Sequence, residues 1–352
     1  MKDIKIGEEY LLQAQKLHRE HPVVDAHLDL AGEILLRHKA GERDVIRRHY
    51  LSHFQKAGIT LVVSSVYVEN GAIAKGWENA LAQIKALKEE LAGLEEAALV
   101  EKGSDITLLA EEGKIGVLLY MEGLDCIGKD THRLEELYRL GVRGASLTWS
   151  RPNELATGCC KALEHRQVPG KLSEAGVRAV KKLEELSMFL DVSHLNDEGF
   201  WQVCRIAQRP FIATHSGSRL IYDSYRNLTE EQLCALGKQG GIMGVNGCKY
   251  IAGSQEGNHL EMLCRHMEHE AEKIGPEHVG YGFDLCDSYD RARAALKGEQ
   301  CMGRDDCLLG HGQIPFVTAA LLQRGMGEKE VEGIIGGNFT RYFKRMLPGG
   351  NL

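Results

Sequence analysis

The stretch HPVVDAHLDL, residues 21–30, places residues that can bind a metal or titrate at the end of an apolar run. Its two valines are typical of a buried strand, and Asp25, His27 and Asp29 follow them. Because side chains two positions apart in a strand point to the same side, the His27 imidazole and the Asp29 carboxylate can converge on one point. Such a pair can ligate a metal ion, but polar residues at a strand end can also simply face water. Residues at the other strand ends decide between these interpretations.

Imidazoles and carboxylates also follow four later strand-like runs. They are Glu122 after KIGVLLYM, His194 in MFLDVSHL, His215 in PFIATHSGS and Asp284 in HVGYGFD. With His27 and Asp29 they make three imidazoles and three carboxylates, a mixture that suits zinc or another borderline divalent ion better than calcium or magnesium. Six groups exceed one tetrahedral site, so we predict two metal ions. Glu122, alone on its strand, is the predicted bridge between them.

The segments between these residues predict the elements that must position them. Strands are predicted near residues 24, 62, 118, 146, 190, 212, 243 and 281, mostly separated by segments with apolar residues at helical spacing. This alternation predicts an α/β fold with a parallel sheet, and eight units predict a closed (β/α)8 TIM barrel. We predict one domain over residues 1–352, with an N-terminal helix at about 7–20 and C-terminal helices at about 313–345. The predicted ligands then share the carboxyl ends of the strands, the active-site face of such a barrel.

The composition limits the partners and the compartment. The 352 residues carry a formal net charge of −7, so the chain offers no basic field for nucleic acid. No apolar run reaches the roughly 18 residues of a membrane-spanning helix, and the N-terminal segment has no apolar core of signal-peptide type. We therefore expect a cytoplasmic protein that binds neither nucleic acid nor a membrane. Its ten cysteines include no CxxC pair and are expected to be reduced thiols.

A series of short motifs gives a further indication. DAHLDL, MEG, DVSH, THS, YRNLTEEQL, HVGYGFD and GGNFTRYF occur in this order between about residues 21 and 345. In this order they resemble the renal, or membrane, dipeptidase family (peptidase family M19) of the amidohydrolase superfamily. The resemblance implies a (β/α)8 barrel with a binuclear zinc centre that hydrolyses dipeptides, often with a D-residue on the C-terminal side.

The resemblance also implies a role for each predicted ligand. His27 and Asp29 look like ligands of one zinc ion, and His194 and His215 look like ligands of the other. Glu122 looks like the carboxylate that bridges both ions. A hydroxide that bridges the two ions would then attack the peptide carbonyl.

Two residues outside the ligand set look like parts of the reaction machinery. Asp284, in GFD, matches the acid that moves the proton during hydrolysis. Arg226, in YRN, matches the arginine that holds the terminal carboxylate of the dipeptide. Without the resemblance, Arg226 would be interpreted as an ordinary exposed loop arginine.

Two departures from the family pattern bear on the substrate. Trp149 stands in LTWS, where dipeptidases of the family commonly carry a histidine that contacts the substrate, and an indole donates one hydrogen bond without carrying charge. Trp149 is expected either to contact the substrate or to pack against the barrel rim. Leu285-Cys286-Asp287 replaces the usual Phe-Asp-Gly. We expect Cys286 to be a buried, inert thiol, although its position would also let it approach the metal site.

The remaining histidines receive no catalytic role. His266 and His269 lie one turn apart on a charged helix, and we expect them to lie on a solvated face. His165, His278 and His311 show no convergent partner in the sequence and stay unassigned.

Together these residues predict a binuclear zinc dipeptidase acting on L,L or L,D dipeptides. The alternative is a hydrolase of N-acyl amino acids, lactams or lactones with the same metal centre, which Trp149 and residues 285–287 favour. A catalytically inert barrel kept for metal binding or protein interaction is a third reading, and the complete ligand set argues against it. A homodimer is an expectation at the level of the family alone.

Overall fold

Parallel strands alternate with helices along the chain. The structure, a computed structural model, describes residues 3–159, 169–301 and 304–350. The described residues form the strands β1 (Val23–Leu28), β2 (Ile59–Tyr67), β3 (Ala97–Leu99), β4 (Ile115–Glu122), β5 (Val142–Ser146), β6 (Phe189–Asp191), β7 (Ala213–Ser216), β8 (Met243–Val245) and β9 (Val279–Tyr281).

The helices of the described residues are mostly placed between these strands. They are α1 (Glu8–Glu20), α2 (Leu30–Lys39), α3 (Leu51–Ala57), α4 (Gly76–Ala92), α5 (Gly103–Glu111), α6 (Arg133–Arg139), α7 (Glu174–Glu185), α8 (Asp197–Ile206), α9 (Glu230–Lys238), α10 (Lys249–Ala252), α11 (His259–Ile274), α12 (Asp287–Lys297), α13 (Ile314–Gln323), α14 (Glu328–Glu332) and α15 (Asn338–Met346).

Two parallel sheets join into one barrel. The first runs β1-β2-β4-β5-β6, with β3 on one end of β4, and the second runs β7-β8-β9. The Ile212 N–H donates to the Leu190 carbonyl at 3.0 Å and connects β6 to the start of β7. The circle closes between β9 and β1, where the Asp284 N–H donates to the His27 carbonyl at 3.2 Å. The fold is an α/β barrel, which confirms the predicted (β/α)8 architecture.

Each predicted strand position lies in or next to a barrel strand, while several short elements were not predicted. β3 has three residues, too few for a periodic signal, and α12 begins directly after the predicted proton carrier. His266 corrects another expectation, since it is buried instead of solvated. Its Nδ1 accepts the Ser218 N–H at 3.0 Å, and its Nε2 lies 3.1 Å from the Ala252 carbonyl. The helix that carries it packs its histidine face against the barrel loops.

The apolar residues divide into two packed layers. Alternate strand residues such as Val24, Leu61 and Leu118 cluster with aromatic residues of α15, while the opposite strand faces pack against the helices. Phe189 belongs to the cluster with the α15 aromatic residues, and its ring lies 5.2 Å from the Phe343 ring. The barrel interior is therefore filled with packed side chains, which form a rigid base below the strand ends that carry the predicted ligands.

Helix caps fix the loops that carry functional residues. Thr229 starts α9 with a capping box in which its side chain accepts the Gln232 N–H at 3.2 Å. This reciprocal pair fixes the first turn of the helix and hence the end of the loop that contains Arg226.

No helix within the described ranges combines the length and apolar character needed to cross a membrane. The nine cysteines in these ranges are free thiols, and Cys160 lies outside the described residues, as does His165.

Candidate metal centre

The six residues predicted from strand ends lie together at the carboxyl end of the barrel. They are His27 in β1, Asp29 directly after it, Glu122 at the end of β4, His194 after β6, His215 in β7 and Asp284 after β9. The ligand atoms of His27, Glu122 and His215 lie within 4.8 Å of one another, and so do those of Asp29, Asp284 and Cys286. The structure thus brings residues that are up to about 250 positions apart to one place, as parallel strands require.

Glu122 occupies the centre of this arrangement. Its Oε1 lies 2.7 Å from His194 Nε2 and 3.4 Å from His215 Nε2. Its other oxygen, Oε2, lies 3.6 Å from His27 Nε2. The two oxygens of Glu122 therefore have different nearest imidazoles, His194 for Oε1 and His27 for Oε2.

Gly123 lets the chain turn away directly after Glu122. Its φ of 82° lies in the left-handed region that favours glycine, and a Cβ there would lie 2.7 Å from the backbone nitrogen of Trp149. The MEG motif thus combines the central carboxylate with the turn that orients it.

His27 is a test of whether these residues fit a metal. It is fully buried, and within the described residues neither ring nitrogen has a hydrogen-bond partner. Its Nε2 lies 3.7 Å from Asp29 Oδ1 and 3.8 Å from Asp284 Oδ1. Two ligands of one zinc ion, each about 2.1 Å from it, lie roughly 3.4 Å apart at the tetrahedral angle. The unpartnered nitrogen and the three carboxylates around it, those of Asp29, Glu122 and Asp284, fit a divalent cation.

The charges around His27 support this fit. Burial opposes protonation, yet Glu122, Asp29 and Asp284 hold the pKa of His27 well above its ordinary value. The carboxylates therefore attract a cation to this point. A metal ion bound by Nε2 would replace the proton.

The other two imidazoles are held in the neutral form that ligates metals. Burial and the Arg226 guanidinium lower the pKa of His194 to about 4. Burial and the nearby His27 hold the pKa of His215 well below its ordinary value. Both rings therefore keep an unprotonated nitrogen at neutral pH.

Polar neighbours orient these two rings. Ser150 Oγ lies 2.8 Å from His194 Nδ1, and Thr214 Oγ1 lies 2.7 Å from His215 Nδ1. The Thr214 hydroxyl donates to Asp191 Oδ2 at 2.7 Å. With Nδ1 engaged in this way, each ring directs Nε2 toward Glu122, as partners behind metal-binding histidines commonly do.

Asp284 stands beside the ligands with an altered acidity. Burial is the main cause that raises the pKa of Asp284 to about 7, and Asp29 and Glu122 add to it against the opposing effect of His27. Asn246 donates to Oδ2 at 3.1 Å, which leaves Oδ1 toward His27 and the cavity. The residue has φ 53°, a left-handed conformation that Asp tolerates better than most residues. Such strain is common at functional sites.

Arg226 is buried, not exposed as an isolated loop arginine would be. Its Nη1 donates to the Ser193 carbonyl and its Nη2 to the His215 carbonyl at 3.2 Å. Nη2 also lies 3.1 Å from His194 Nε2. The guanidinium thus lines the cavity next to the imidazole set, where a substrate anion can reach it.

Trp149 forms part of the wall of a cavity of about 200 Å³ above the ligands. Its ring lies 5.6 Å from Tyr67 and 6.0 Å from His194, nearly parallel to both. Arg151 covers the ring at 5.2 Å. Trp149 therefore packs against residues at the rim and also faces the cavity, and its contact with the substrate stays a prediction.

Cys286 also reaches the cavity and is only partly buried. Its thiol lies 3.0 Å from the Asp284 carbonyl and 3.5 Å from Asp284 Oδ1. The thiol is therefore only partly buried and lies at the edge of the site, while its contact with Cys248 and its burial hold the pKa of Cys286 well above its ordinary value, as expected of an inert thiol.

Sequence reasoning missed residues that act behind the ligands. Asn246 follows β8 and carries an amide. The neighbouring strands β7 and β9 carry the titratable residues His215 and Asp284 at this end. His311, left unassigned from the sequence, lies 2.9 Å from Asp25 Oδ2, and Asp25 in turn accepts the Phe283 N–H at 2.9 Å. A search of strand ends for amides as well as charges would have found Asn246. Nothing local marks the Asp25 and His311 pair.

Comparisons with known proteins agree with this geometry. A family model described as membrane dipeptidase (peptidase family M19) matches residues 11–347. Dipeptidase 3 of Homo sapiens is 28% identical over 350 residues, which cover 95% of this chain and 67% of that protein. Dipeptidase 3 of Macaca fascicularis is also 28% identical, over 349 residues and the same shares.

Solved structures give the same result. A metallopeptidase of family M19, dipeptidase AC, has a TM-score of 0.80 and 25% identity, covering 93% of this chain and 99% of its own. A metallopeptidase from Rhodobacter sphaeroides, liganded with a phosphinate mimic of the dipeptide L-Ala-D-Ala, has a TM-score of 0.79 and 24% identity, with the same coverage. The second likeness is one of fold.

Proposed function

The chain belongs to the membrane dipeptidase family, peptidase family M19, and from this premise we propose that its barrel mouth is a binuclear zinc centre that hydrolyses dipeptides. The family consists of metal-dependent hydrolases that act on small peptides. The number and identity of the ions, and the roles of the individual residues, are the content of the proposal. His27 and Asp29 would hold one ion, His194 and His215 the other, and Glu122 both.

The position of Glu122 is the observation that carries the proposal. One oxygen faces the His194 and His215 pair, and the other faces His27. This division of the two oxygens supports a carboxylate shared between two ions. Bound there, two zinc ions would supply Lewis acidity and make a water molecule acidic enough to attack at neutral pH.

Asp284 is the proposed proton carrier. A group that takes a proton from the attacking water and gives it to the leaving amine works best with a pKa near the operating pH. Burial raises the pKa of Asp284 to about 7 in the absence of an ion, and Asn246 fixes one of its oxygens while the other stays toward the cavity. The same carboxyl can therefore accept the proton and return it to nitrogen.

Arg226 is the proposed anchor of the substrate. The guanidinium is buried beside His194, so a carboxylate that pairs with it is protected from water and held next to the ligands. A free C-terminus one residue beyond the scissile bond satisfies this geometry, and a longer peptide does not. The bound phosphinate mimic of L-Ala-D-Ala in the Rhodobacter sphaeroides structure supports an L,D dipeptide as substrate.

Trp149 favours a second candidate function with the same metal centre. Its indole offers one N–H donor and no charge at the cavity wall, so an oxyanion there would depend more on the ions. Lactones need less support for their leaving groups, and N-acyl amino acids and lactams lack a free amino terminus. They are the alternative substrates.

A panel assay separates the two candidates. L-Ala-L-Ala, L-Ala-D-Ala, N-acetyl-alanine and a simple lactone are given to the same zinc-loaded preparation, and kcat/KM is measured for each. We expect the two dipeptides to be preferred, and Glu122→Gln to remove their hydrolysis. Glu101→Gln, a matched change in a glutamate outside the site, should leave it unchanged. A clear preference for the N-acyl compound or the lactone would replace the dipeptidase assignment.

A further inference from the structure

Two thiols in the wall of the cavity and a carboxylate beside them form a group that contains none of the proposed zinc ligands. We propose that Cys248, Cys286 and Asp306 form a separate binding site for one thiophilic divalent ion, such as zinc in excess or cadmium. One ligand atom of each lies within 4.8 Å of the others. Three protein ligands leave a fourth position of a tetrahedral ion open.

The three ligands come from three segments that the fold holds together. Cys248 follows β8, Cys286 follows β9, and Asp306 lies in the loop after α12. Cys248 and Asp306 form an antiparallel backbone bridge, and the Cys248 N–H donates to Asn246 Oδ1 at 2.7 Å. The thiol and the carboxylate therefore share one rigid backbone frame.

Asp306 is oriented as a ligating carboxylate. Its Oδ1 accepts the Cys286 N–H at 3.0 Å, and its Oδ2 accepts the Asp287 N–H at 2.9 Å. Each oxygen keeps further lone pairs for an ion, and carboxylates that bind metals are commonly held by hydrogen bonds of this kind. The same bonds place Cys286 next to Asp306 through the backbone.

An ion can reach this group from the substrate cavity. Cys248 and Cys286 both line it, together with the proposed catalytic residues. Binding would release the two thiol protons to solvent and leave two thiolates on the ion. Sulfur ligands favour zinc and cadmium over magnesium and calcium.

The position of Cys286 gives this site a consequence for catalysis. Its Sγ lies 3.5 Å from Asp284 Oδ1. A cation at the thiols would stand close to that carboxylate, in the wall of the cavity that the proposed substrate enters. Occupation of the site is therefore inhibitory, and the proposed dipeptidase reaction becomes sensitive to excess soft metal.

The experiment uses sulfur-to-metal charge-transfer absorption, because the proposed binuclear centre contains only nitrogen and oxygen ligands. The whole protein is titrated with Co²⁺ and, separately, with Cd²⁺. We expect thiolate charge transfer in the ultraviolet, at shorter wavelength for Cd²⁺ than for Co²⁺, with one more bound ion than Cys286→Ala or Cys248→Ala binds. Cys126→Ala, a matched change at a buried thiol elsewhere, should keep the band. Glu122→Gln should keep it too, which separates this site from the binuclear centre.

A second measurement needs no variant. Cd²⁺ should slow the alkylation of Cys248 and Cys286 by iodoacetamide, read by peptide mass spectrometry, while the exposed Cys234 stays as reactive as before. Inhibition by Cd²⁺, relative to the activity of each variant itself, should weaken in Cys286→Ala and persist in Cys126→Ala. The proposal would be overturned if the charge-transfer band were absent, or if it persisted in both Cys248→Ala and Cys286→Ala. It would also be overturned if Cd²⁺ left the alkylation rates of these two thiols unchanged. A disulfide between these two thiols in the native protein would overturn it as well.

Discussion

Arg226 offers the sharpest test of the proposed substrate, because it would distinguish a dipeptidase from a hydrolase indifferent to a free terminus. The perturbation is double: Arg226→Met in the protein and amidation of the C-terminus in the dipeptide. Arg226 is 3% exposed, so solvent would screen its ion pair with the carboxylate of the dipeptide little. Hydrogen bonds to a charged group contribute about 1.5–3 kcal/mol, which corresponds to roughly 10- to 150-fold in kcat/KM.

We expect the native enzyme to lose roughly that factor when L-Ala-D-Ala is amidated. Arg226→Met should be slow on both substrates and nearly indifferent to amidation, because the group that senses the carboxylate is gone. The coupling from the four values is then about 1.5–3 kcal/mol. Product amines are quantified by chromatography at substrate concentrations well below KM.

Arg219→Met is the matched control on the same loop. The Arg219 guanidinium is already paired with Asp197, with two nitrogen to oxygen distances of 2.9 Å. This variant should keep the full penalty for amidation. Equal cleavage of free and amidated dipeptide by the native enzyme, or an unchanged penalty in Arg226→Met, would refute the assigned role.

Three further predictions follow from other residues. Glu122→Gln should lose metal as well as turnover, since it weakens both proposed ion sites. Asp284→Asn should keep its metal and lose kcat by about 100-fold or more. Elemental analysis together with kinetics checks this, and the reverse pattern would mean that the roles assigned to the two acids are exchanged. Glu270 is fully buried, and burial holds its pKa well above 4.5, so the native protein should lose stability as pH rises above 4.5, by up to about 1.4 kcal/mol per pH unit. Glu270→Met should remove this slope and raise the free energy of unfolding at neutral pH by about 1–3 kcal/mol, because within the described residues neither carboxyl oxygen has a partner. Chemical denaturation at several pH values measures this, and the same dependence of unfolding free energy on pH in both proteins would contradict it. Trp149→His should raise kcat/KM for dipeptides if the indole limits oxyanion support, and an unchanged kcat/KM in the panel assay would count against that role.

The sequence predicted the centre well because its logic is local to each strand. A β-rich run, then an imidazole or carboxylate, marks one strand end, and parallel topology brings all such ends to the same face. His27, Glu122 and His215 were found in this way without knowledge of their distances. Their mutual positions, such as the two oxygens of Glu122 facing different rings, needed the structure.

Other features could not be predicted because they depend on distant partners. His311 and Asp25 are separated by 286 positions and meet only when the last loop returns to β1. The group of Cys286 with Cys248 and Asp306 could not be predicted because nothing near Cys286 in the chain reveals the other two residues. His266 was expected to face solvent because its helix is charged, but the loops after β7 and β8 cover it. Local pattern shows which residues can do chemistry, and long-range packing decides which of them meet.

The binuclear centre is tested most directly by metal stoichiometry measured together with activity. The measurement uses Cys286→Ala, which lacks a ligand of the proposed thiol site. This protein is stripped with a chelator, excess zinc is returned, and the excess is then removed by dialysis against a weak competitor. Bound zinc and hydrolysis of L-Ala-D-Ala are measured on the same samples. The account predicts no activity without metal, and full recovery when two zinc ions per chain have bound. Turnover by a sample shown by elemental analysis to be metal-free, or full activity with one ion per chain, would contradict it.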